Sequence, residues 1–370
     1  MITVVGVGAD GWEGLSPVAQ QAISSAAVVI GAPRQLALVP VEGLPWQTLA
    51  DLNALLDEHP SCVVLASGDP MHFGIGATLA GRRELTVIPA VSSIALACAR
   101  LGWAQQDVRV ISLVGRSLVL GPLQHGERLL VLSADATSPS KVTDLLAQQG
   151  FSGSTVTVLS ELGGQGEHVG EPYSDLNIVA VECRGAGLTR VPGLPDDAFE
   201  NDGQITKREV RAVVLALLAP QPGQLLWDVG SGTGSIAIEW SRAGGEAVAV
   251  ERDADKVLRI MRNAARLGVL LDARAGQAPD ALSALLEPDA VFVGGGATTP
   301  GLLDACWDAL APGGRLVVNA VTVESEAVVL AWHAKHGGTL TRLSVQRTSP
   351  IGSFTGWKPM TTVTIWAVTK

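Results

Sequence analysis

The sequence predicts an α/β protein built in two parts: a two-lobed α/β domain followed by a Rossmann-like domain. Three observations carry this reading. Short apolar runs with strand character alternate with helix-period segments along most of the 370 residues. The alternation stops once, at 185–195, a stretch rich in Gly and Pro with no periodicity. Beyond that break, Leu225-Leu226-Trp227-Asp228-Val229-Gly230-Ser231-Gly232-Thr233-Gly234-Ser235 reads as strand, glycine turn and helix start.

The elements follow in order. Strands are expected at 2–7, 27–30, 62–66, 85–88 and 109–113, with helices at 17–24, 49–58 and 93–101 between them. The texture then turns sheet-rich. Segments 128–132, 155–159, 168–171 and 178–182 read as strands around one long helix, 139–149. Residues 1–184 are expected to form one domain, with lobes at about 1–112 and 113–184. Residues 185–195 read as a linker and 196–370 as the second domain. There, helices 206–219, 234–242 and 254–267 interleave with strands 224–229, 246–251, 270–275 and 289–293. Strand-like segments at 316–320, 339–346 and 361–368 close the chain, the last two as an antiparallel pair at a sheet edge.

Lys and Arg total 26 against 36 Asp and Glu, a net charge of −10. Such a chain lacks the basic surface that non-specific nucleic-acid binding requires, so no nucleic-acid partner is expected. With 47% hydrophobic and 17% charged residues it is not a disordered chain. The four cysteines, Cys62, Cys98, Cys183 and Cys306, make no CxxC pair, and no metal is expected. The N-terminus reads as a strand and not as a signal peptide. The longest apolar stretch, 85–99, is interrupted by Thr86, Pro89, Ser92 and Ser93 and is too short to span a membrane. A soluble, cytoplasmic protein with no membrane partner is expected.

The second part carries the sharper chemistry. A dinucleotide loop needs GxGxxG, and Ser235 occupies the third glycine position. The segment Asp228–Gly234 instead has the D-x-G-x-G-x-G pattern that S-adenosylmethionine sites favour. Glu251 ends the next strand, where a carboxylate holds ribose hydroxyls. Gly276, Gln277 and Ala278 end the third strand, where an adenine ring would lie. Asp228, Gly230, Ser231, Gly232, Thr233, Gly234, Glu251, Gly276 and Ala278 are therefore candidate cofactor residues. A nicotinamide site, or a plain tight turn with a capping carboxylate, is the alternative.

Amino-group methyltransferases place Asn/Asp-Pro-Pro-Tyr after the fourth strand, whereas Gly294-Gly295-Gly296 offers only backbone. This favours an acceptor that is already nucleophilic, such as an electron-rich carbon, with Gly294 and Gly295 as candidate substrate contacts. Thr206 and Glu209 fit a capping box. The same segment, Gln204-Ile205-Thr206-Lys207, is also placed to fold over the cofactor. Lys207, Arg208 and Arg211 form a basic cluster suited to substrate carboxylates, or a solvated helix face. His333 and His336 read as a solvated helix face, not as metal ligands.

In the first part, Gly6-Val7-Gly8-Ala9-Asp10-Gly11 fits GxGxxG after a strand, but no acidic residue ends the next strand. Ser67-Gly68-Asp69-Pro70-Met71-His72-Phe73-Gly74 follows a buried strand, and its Asp-Pro also suits a bland turn. In Pro89-Ala90-Val91-Ser92-Ser93 either serine suits a helix cap. Together these three segments resemble the tetrapyrrole (corrin/porphyrin) methylases. Glu161-Leu162-Gly163-Gly164-Gln165-Gly166-Glu167 resembles the subgroup acting in cobalamin synthesis. The second part looks like that subgroup's decarboxylating partner. The similar segments are Pro192-Gly193-Leu194-Pro195-Asp196-Asp197-Ala198-Phe199, Gln204–Arg211 and Leu310-Ala311-Pro312-Gly313-Gly314-Arg315. Over nearly its whole length the chain is similar to the fused decarboxylating precorrin methyltransferases.

The resemblance implies a two-lobed tetrapyrrole methylase domain followed by a Rossmann-like S-adenosylmethionine-dependent methyltransferase domain, with one S-adenosylmethionine site in each. In the first, Gly68, Asp69, Pro70, Ser92 and Ser93 would line the cofactor pocket, and Gly8 would face the substrate cleft. In the second, Thr206, the Gly230–Gly234 loop, Glu251 and Ala278 would hold the cofactor. The implied reaction methylates precorrin-6Y at C5 and C15, removes the ring C acetate carboxyl as carbon dioxide, and yields precorrin-8. The implied partner is this tetrapyrrole, and the implied assembly is a homo-oligomer. No catalytic side chain is assigned, because an activated methyl and an enamine-like meso carbon mainly need alignment. Two positions depart from the family pattern. The family usually reads Ser-Leu-His-Gly-Arg where Ser112-Leu113-Val114-Gly115-Arg116 stands, which bears on C5 methylation. An acidic residue is more usual where Gln277 stands. A cobalt-containing or other tetrapyrrole as substrate, and a non-catalytic tetrapyrrole carrier, are the alternatives.

Overall fold

The first strand, β1 (Ile2–Val7), is apolar at nearly every position because it lies inside a parallel sheet covered on both faces. The structure, a computed structural model, describes all 370 residues. It divides into two units, Met1–Leu118 with His125–Ala186, and Val119–Gln124 with Gly187–Lys370.

In the first unit, β2 (Val29–Gly31), β3 (Leu44–Pro45), β4 (Cys62–Ser67) and β5 (Leu85–Ile88) complete that sheet in the order β3-β2-β4-β1-β5. Helices α1 (Pro17–Ser24), α2 (Pro33–Leu36), α3 (Leu49–Glu58), α4 (Ile75–Ala80) and α5 (Ser93–Leu101) connect and follow the strands. Alternate strand residues serve opposite faces. Ile2, Val4 and Val64 pack with Leu52 and Leu56 of α3, whereas Val5, Val7 and Leu65 pack with Ala19 and Ile23 of α1. Helix starts follow local chemistry. Ser16 and Ser92 accept the amides of Ala19 and Ala95, and Thr48 with Asp51 forms a capping box.

A second, mixed sheet holds β6 (Val108–Ser112), β7 (Arg128–Leu132), β8 (Thr155–Ser160), β9 (His168–Val169) and β10 (Asn177–Glu182), in the order β6-β7-β10-β8-β9. It is accompanied by α6 (Ser138–Gln148). Helix α5 buries Ile94, Ala97 and Cys98 against Leu130, Leu159 and Ile178 of this sheet. The strand expected at 168–171 is only two residues long, at the sheet edge.

The second unit is a seven-stranded sheet. Its strands are β11 (Leu225–Val229), β12 (Glu246–Glu251), β13 (Asp272–Ala275), β14 (Ala290–Val293), β15 (Arg315–Ala320), β16 (Thr339–Leu343) and, after a hairpin of β17 (Gln346–Ile351) and β18 (Phe354–Pro359), β19 (Val363–Thr369). The order is β13-β12-β11-β14-β15-β19-β16, with β19 and β16 antiparallel to their neighbours. Helices α7 (Arg208–Leu218), α8 (Ser235–Arg242) and α9 (Ala254–Arg266) contribute to the apolar core on one face, and α10 (Leu302–Ala309) and α11 (Val323–His336) to the core on the other. Strand order reverses between β11 and β14, so a crevice opens at the carboxyl ends of these strands.

Four local expectations are corrected. The segment 339–346 is not one strand: β16 stops at Leu343, and Gln346 begins a separate two-stranded ribbon. Pro350 and Pro359 lack the amide donors that a central strand needs. Thr206 and Glu209 form no capping box, because Lys207 sits at the N-cap position and Glu209 pairs with Arg347 at 2.6 Å. The stretch 185–195 is not a free connector throughout. Leu194 is buried, and the Gly193 and Leu194 amides donate to Glu239 at 2.5 and 3.0 Å. His336 is not on a solvated face: its ring lies 4.3 Å from Trp307 and stacks on Trp332 at 4.8 Å.

Candidate cofactor and substrate sites

In the second unit β11 ends at Val229, and the chain turns through Gly230–Gly234 before α8 begins. Gly230, Gly232 and Gly234 have φ of +71°, +61° and +77°, a region that costs other residues strain. A Cβ at Gly230 would also stand 3.0 Å from the Gly295 carbonyl oxygen, so the two glycine segments approach backbone to backbone. The Gly232 amide donates to Glu251 Oε2 at 2.9 Å, which ties the loop to the end of β12.

Asp228 supports this loop from below. It is 1% exposed, and its Oδ2 accepts from Ser231 Oγ at 2.7 Å and from the Ala237 amide at 3.1 Å. Burial pushes its carboxyl up to about 6, against those two hydrogen bonds and reinforced by the charge of Glu251. Gly234 plays a similar supporting part, with the side chain of Ile260 beside its Cα.

Two adjoining cavities open over the loop. One of about 270 Å³ is walled by Gly230, Glu251, Gly276, Gln277, Ala278 and Gly295. The other, about 960 Å³, is walled by Thr206, Lys207, Ser231, Gly232, Thr233, Gly294 and the hairpin of β17 and β18. Gly230, Glu251 and Lys256 border both. Of the second unit's candidate residues, Asp228, Gly234, Arg208 and Arg211 stand outside these walls. Glu251 accepts from the Gly232 and Asp253 amides, yet each carboxylate oxygen keeps a further lone pair for a hydroxyl. The smaller cavity, bordered by this carboxylate and by the small residues Gly276, Ala278 and Gly295, therefore has the chemistry to take a ribose and a flat base.

Arg211 is corrected outright. It is 0% exposed and sits on the apolar stripe of α7 with Val210, Val214 and Leu215. A cation there needs compensation. Its Nε donates to Glu239 at 2.5 Å, and its terminal nitrogens donate to the carbonyls of Thr206 and Leu194. It therefore braces the second unit and does not meet a ligand. Among the residues of the larger cavity that were not anticipated are Asn319, Lys256, Arg347 and Lys358. Arg347 is neutralised by Glu209 and Asp196.

The first unit holds a cavity of about 480 Å³. Gly8, Gly68, Asp69, Ser92 and Ser93 line it from the first sheet, and Leu132, Ser133 and Asn177 from the second. Gly6 permits this construction, since a Cβ there would meet the Gly68 carbonyl and stand 2.6 Å from the Ala90 nitrogen. Asp69 Oδ1 accepts the Met71 amide at 2.9 Å, and Ser92 Oγ caps α5 at 3.1 Å. Pro70 is buried behind the wall, close against Gly74 and Gly76. Val114 lines the cavity and is 61% exposed. Gln35 and Trp46, neither anticipated, also line it. No His, Cys, Asp or Glu cluster able to hold a metal is present, and no helix is long and apolar enough to cross a membrane.

Comparison with known proteins places both parts. Residues 1–173 match the tetrapyrrole (corrin/porphyrin) methylases, and residues 197–370 match the precorrin methyltransferase domain. A precorrin-6Y C(5,15)-methyltransferase [decarboxylating] of Sinorhizobium is 45% identical, covering 100% of this chain and 96% of the relative. The protein of that name from Mycobacterium tuberculosis is 44% identical, with 100% of both chains covered. The crystal structure of the C-terminal domain of precorrin-6Y C5,15-methyltransferase from Rhodobacter capsulatus is 44% identical, with a TM-score of 0.48, covering 50% of this chain and 100% of that one. Two family domains in this order, and identity at this level from end to end, show that the chain belongs to the decarboxylating precorrin-6Y C(5,15)-methyltransferase family.

Proposed function

We propose that the chain methylates precorrin-6Y at C5 through its first domain and at C15 through its second, and that the second domain also releases the ring C acetate carboxyl as carbon dioxide, giving precorrin-8. Each domain would hold one S-adenosylmethionine. The observation that carries this reading is the presence of separate cavities in the two units, each walled by glycine-bearing loops at strand ends.

When bound, S-adenosylmethionine supplies an electrophilic methyl group on sulfur. The work left to the chain is alignment and exclusion of water. In the second domain the Gly230–Thr233 backbone and Glu251 would fix the cofactor, and Gln277 would offer an amide to its base. Gly294 carries no side chain, so a broad, flat acceptor can approach the loop. Lys207, Lys256 and Lys358 border the larger cavity and match the carboxylates of a polyanionic macrocycle. Ile236, Phe292 and Val363 give that cavity an apolar wall. In the first domain Gly68, Asp69, Ser92 and Ser93 would hold the cofactor, with Gly8 toward the substrate.

The chain would act as a homo-oligomer. The hairpin of β17 and β18 is a two-stranded ribbon that exposes Ile351, Phe354 and Trp357, and such ribbons are marginal alone. Sedimentation of the purified protein tests this, and a monomer would refute it. The reaction is tested by the product mass after incubation with precorrin-6Y and S-adenosylmethionine. Two methyl groups gained and one carbon dioxide lost is the expected result. One methyl gained with carbon dioxide lost would remove C5 methylation from the proposal. No change in mass would overturn it.

A further inference from the structure

We infer that Asn319 contacts the substrate in the second domain and that its amide oxygen accepts a pyrrolic N–H of the macrocycle. This rests on the tetrapyrrole reading above.

Asn319 stands near the carboxyl end of β15, one strand beyond β14, and so at the crevice where strand ends carry the site. Its neighbours in the strand show what its face normally holds. Leu316, Val318 and Ala320 belong to one apolar core, and Val317 belongs to the other, with Phe292, Val363 and Ile365. By alternation Asn319 faces the same side as Val317. An apolar residue would complete that pattern, and an amide breaks it.

The break has no use inside the protein. Asn319 Oδ1 is buried and has no hydrogen-bond partner. A desolvated acceptor left unpaired is costly, and native proteins rarely tolerate one without a reason. Asn319 also lines the larger cavity, together with apolar Ile236, Phe292 and Val363. The amide is therefore an unpaired polar group beside an apolar stretch of the wall, at a ligand-sized space that Ser231, Thr348 and Thr361 also border.

The partner's chemistry follows from what else borders the cavity. Its cations, Lys207, Lys256 and Lys358, meet carboxylates. An amide oxygen needs a donor, and an ionised carboxylate has none. In a tetrapyrrole the donors are the ring N–H groups. One such bond, together with carboxylates held by the lysines, gives the ring more than one fixed point and so limits which meso carbon faces the methyl group.

The test uses the full-length protein and two variants, Asn319→Leu and Asn319→Asp. The first removes the acceptor at similar size, and the second keeps an acceptor oxygen. Each is titrated with S-adenosylmethionine by calorimetry and then assayed with precorrin-6Y for methyl groups gained and carbon dioxide released. For Asn319→Leu we expect cofactor affinity within about threefold of the parent. Its kcat/KM for C15 methylation and carbon dioxide release should fall about 10- to 100-fold, while C5 methylation persists. Asn319→Asp should recover part of that loss, since it restores the acceptor but sets a further negative charge against the substrate's carboxylates.

Equal activity of Asn319→Leu and the parent overturns the inference. So does equal loss in both variants, because the acceptor would then not be what matters. A cofactor affinity weakened more than about tenfold in Asn319→Leu would assign the amide to S-adenosylmethionine, and also overturns it. If the parent itself releases no carbon dioxide from precorrin-6Y, the tetrapyrrole reading fails first and takes this inference with it.

Discussion

Replacing Asp228 with Asn tests whether the glycine loop rests on a strained acid. The carboxyl is 1% exposed, one of its oxygens has no partner, and burial lifts it from 3.8 to about 6. Between those two pH values the folded chain binds this proton and the unfolded chain has released it. Stability from the protonated acid is therefore fully present below 3.8 and is lost as pH rises through about 6. A shift of about two units is worth about 3 kcal/mol. Asparagine keeps the shape and an acceptor oxygen for the Ala237 amide but carries no charge, so it lacks this dependence. The stability of Asp228→Asn relative to the parent should rise by about 2 kcal/mol between about pH 4 and pH 7. Urea unfolding at several pH values measures this, followed by the emission of the buried Trp227, Trp240 and Trp366. Comparing the two proteins cancels the opposite pH dependence of carboxylates held low by arginines, such as Asp202 beside Arg259 and Glu209 beside Arg347. Parallel pH curves for the two proteins would refute the argument.

Gly232→Val places a β-branched side chain at φ +61°, at a strain of about 1–2 kcal/mol, on the wall of the larger cavity. Carbon dioxide release and C15 methylation should fall at least about tenfold with C5 methylation retained, and unchanged release would put the cofactor elsewhere. Asp69→Ala removes the acceptor of the Met71 amide, so C5 methylation should slow about 5- to 10-fold while the second domain's products persist. Intact C5 methylation in that variant would remove Asp69 from the pocket. Arg211→Met leaves Glu239 buried without its cation and should cost the second unit about 3–5 kcal/mol, read as a lower Tm. An unchanged Tm with a raised KM would return Arg211 to the substrate.

What the sequence made legible is what neighbouring residues determine together. The βα alternation is local, since apolar periodicity needs only the pattern of one segment. The glycine loop is local too: Gly230, Gly232 and Gly234 each adopt positive φ within five consecutive positions. Glu251 is legible for the same reason, since the end of β12 lies beside the loop in any parallel sheet of this order, as the 2.9 Å bond to Gly232 records. Even so, the motif did not say which of its members face the cavity. Asp228 and Gly234 carry the loop, and Pro70 backs its counterpart in the first unit.

The illegible part depends on partners distant in sequence. Arg211 and Lys207 looked alike as members of one basic cluster. Their fates separate because position 211 turns toward Glu239 on α8, whereas Lys207 borders the cavity. The capping box failed for a similar reason. Glu209 had a local partner in Thr206, but Arg347, 138 residues away, offers it a bidentate ion pair. A charged pair of that geometry outweighs a capping hydrogen bond worth about 1 kcal/mol. Asn319 is the extreme case, because nothing in its own segment calls for an amide. Only the apolar company of the folded wall makes its unpaired oxygen conspicuous, so the residue that most needs a ligand is also the one that local pattern describes least.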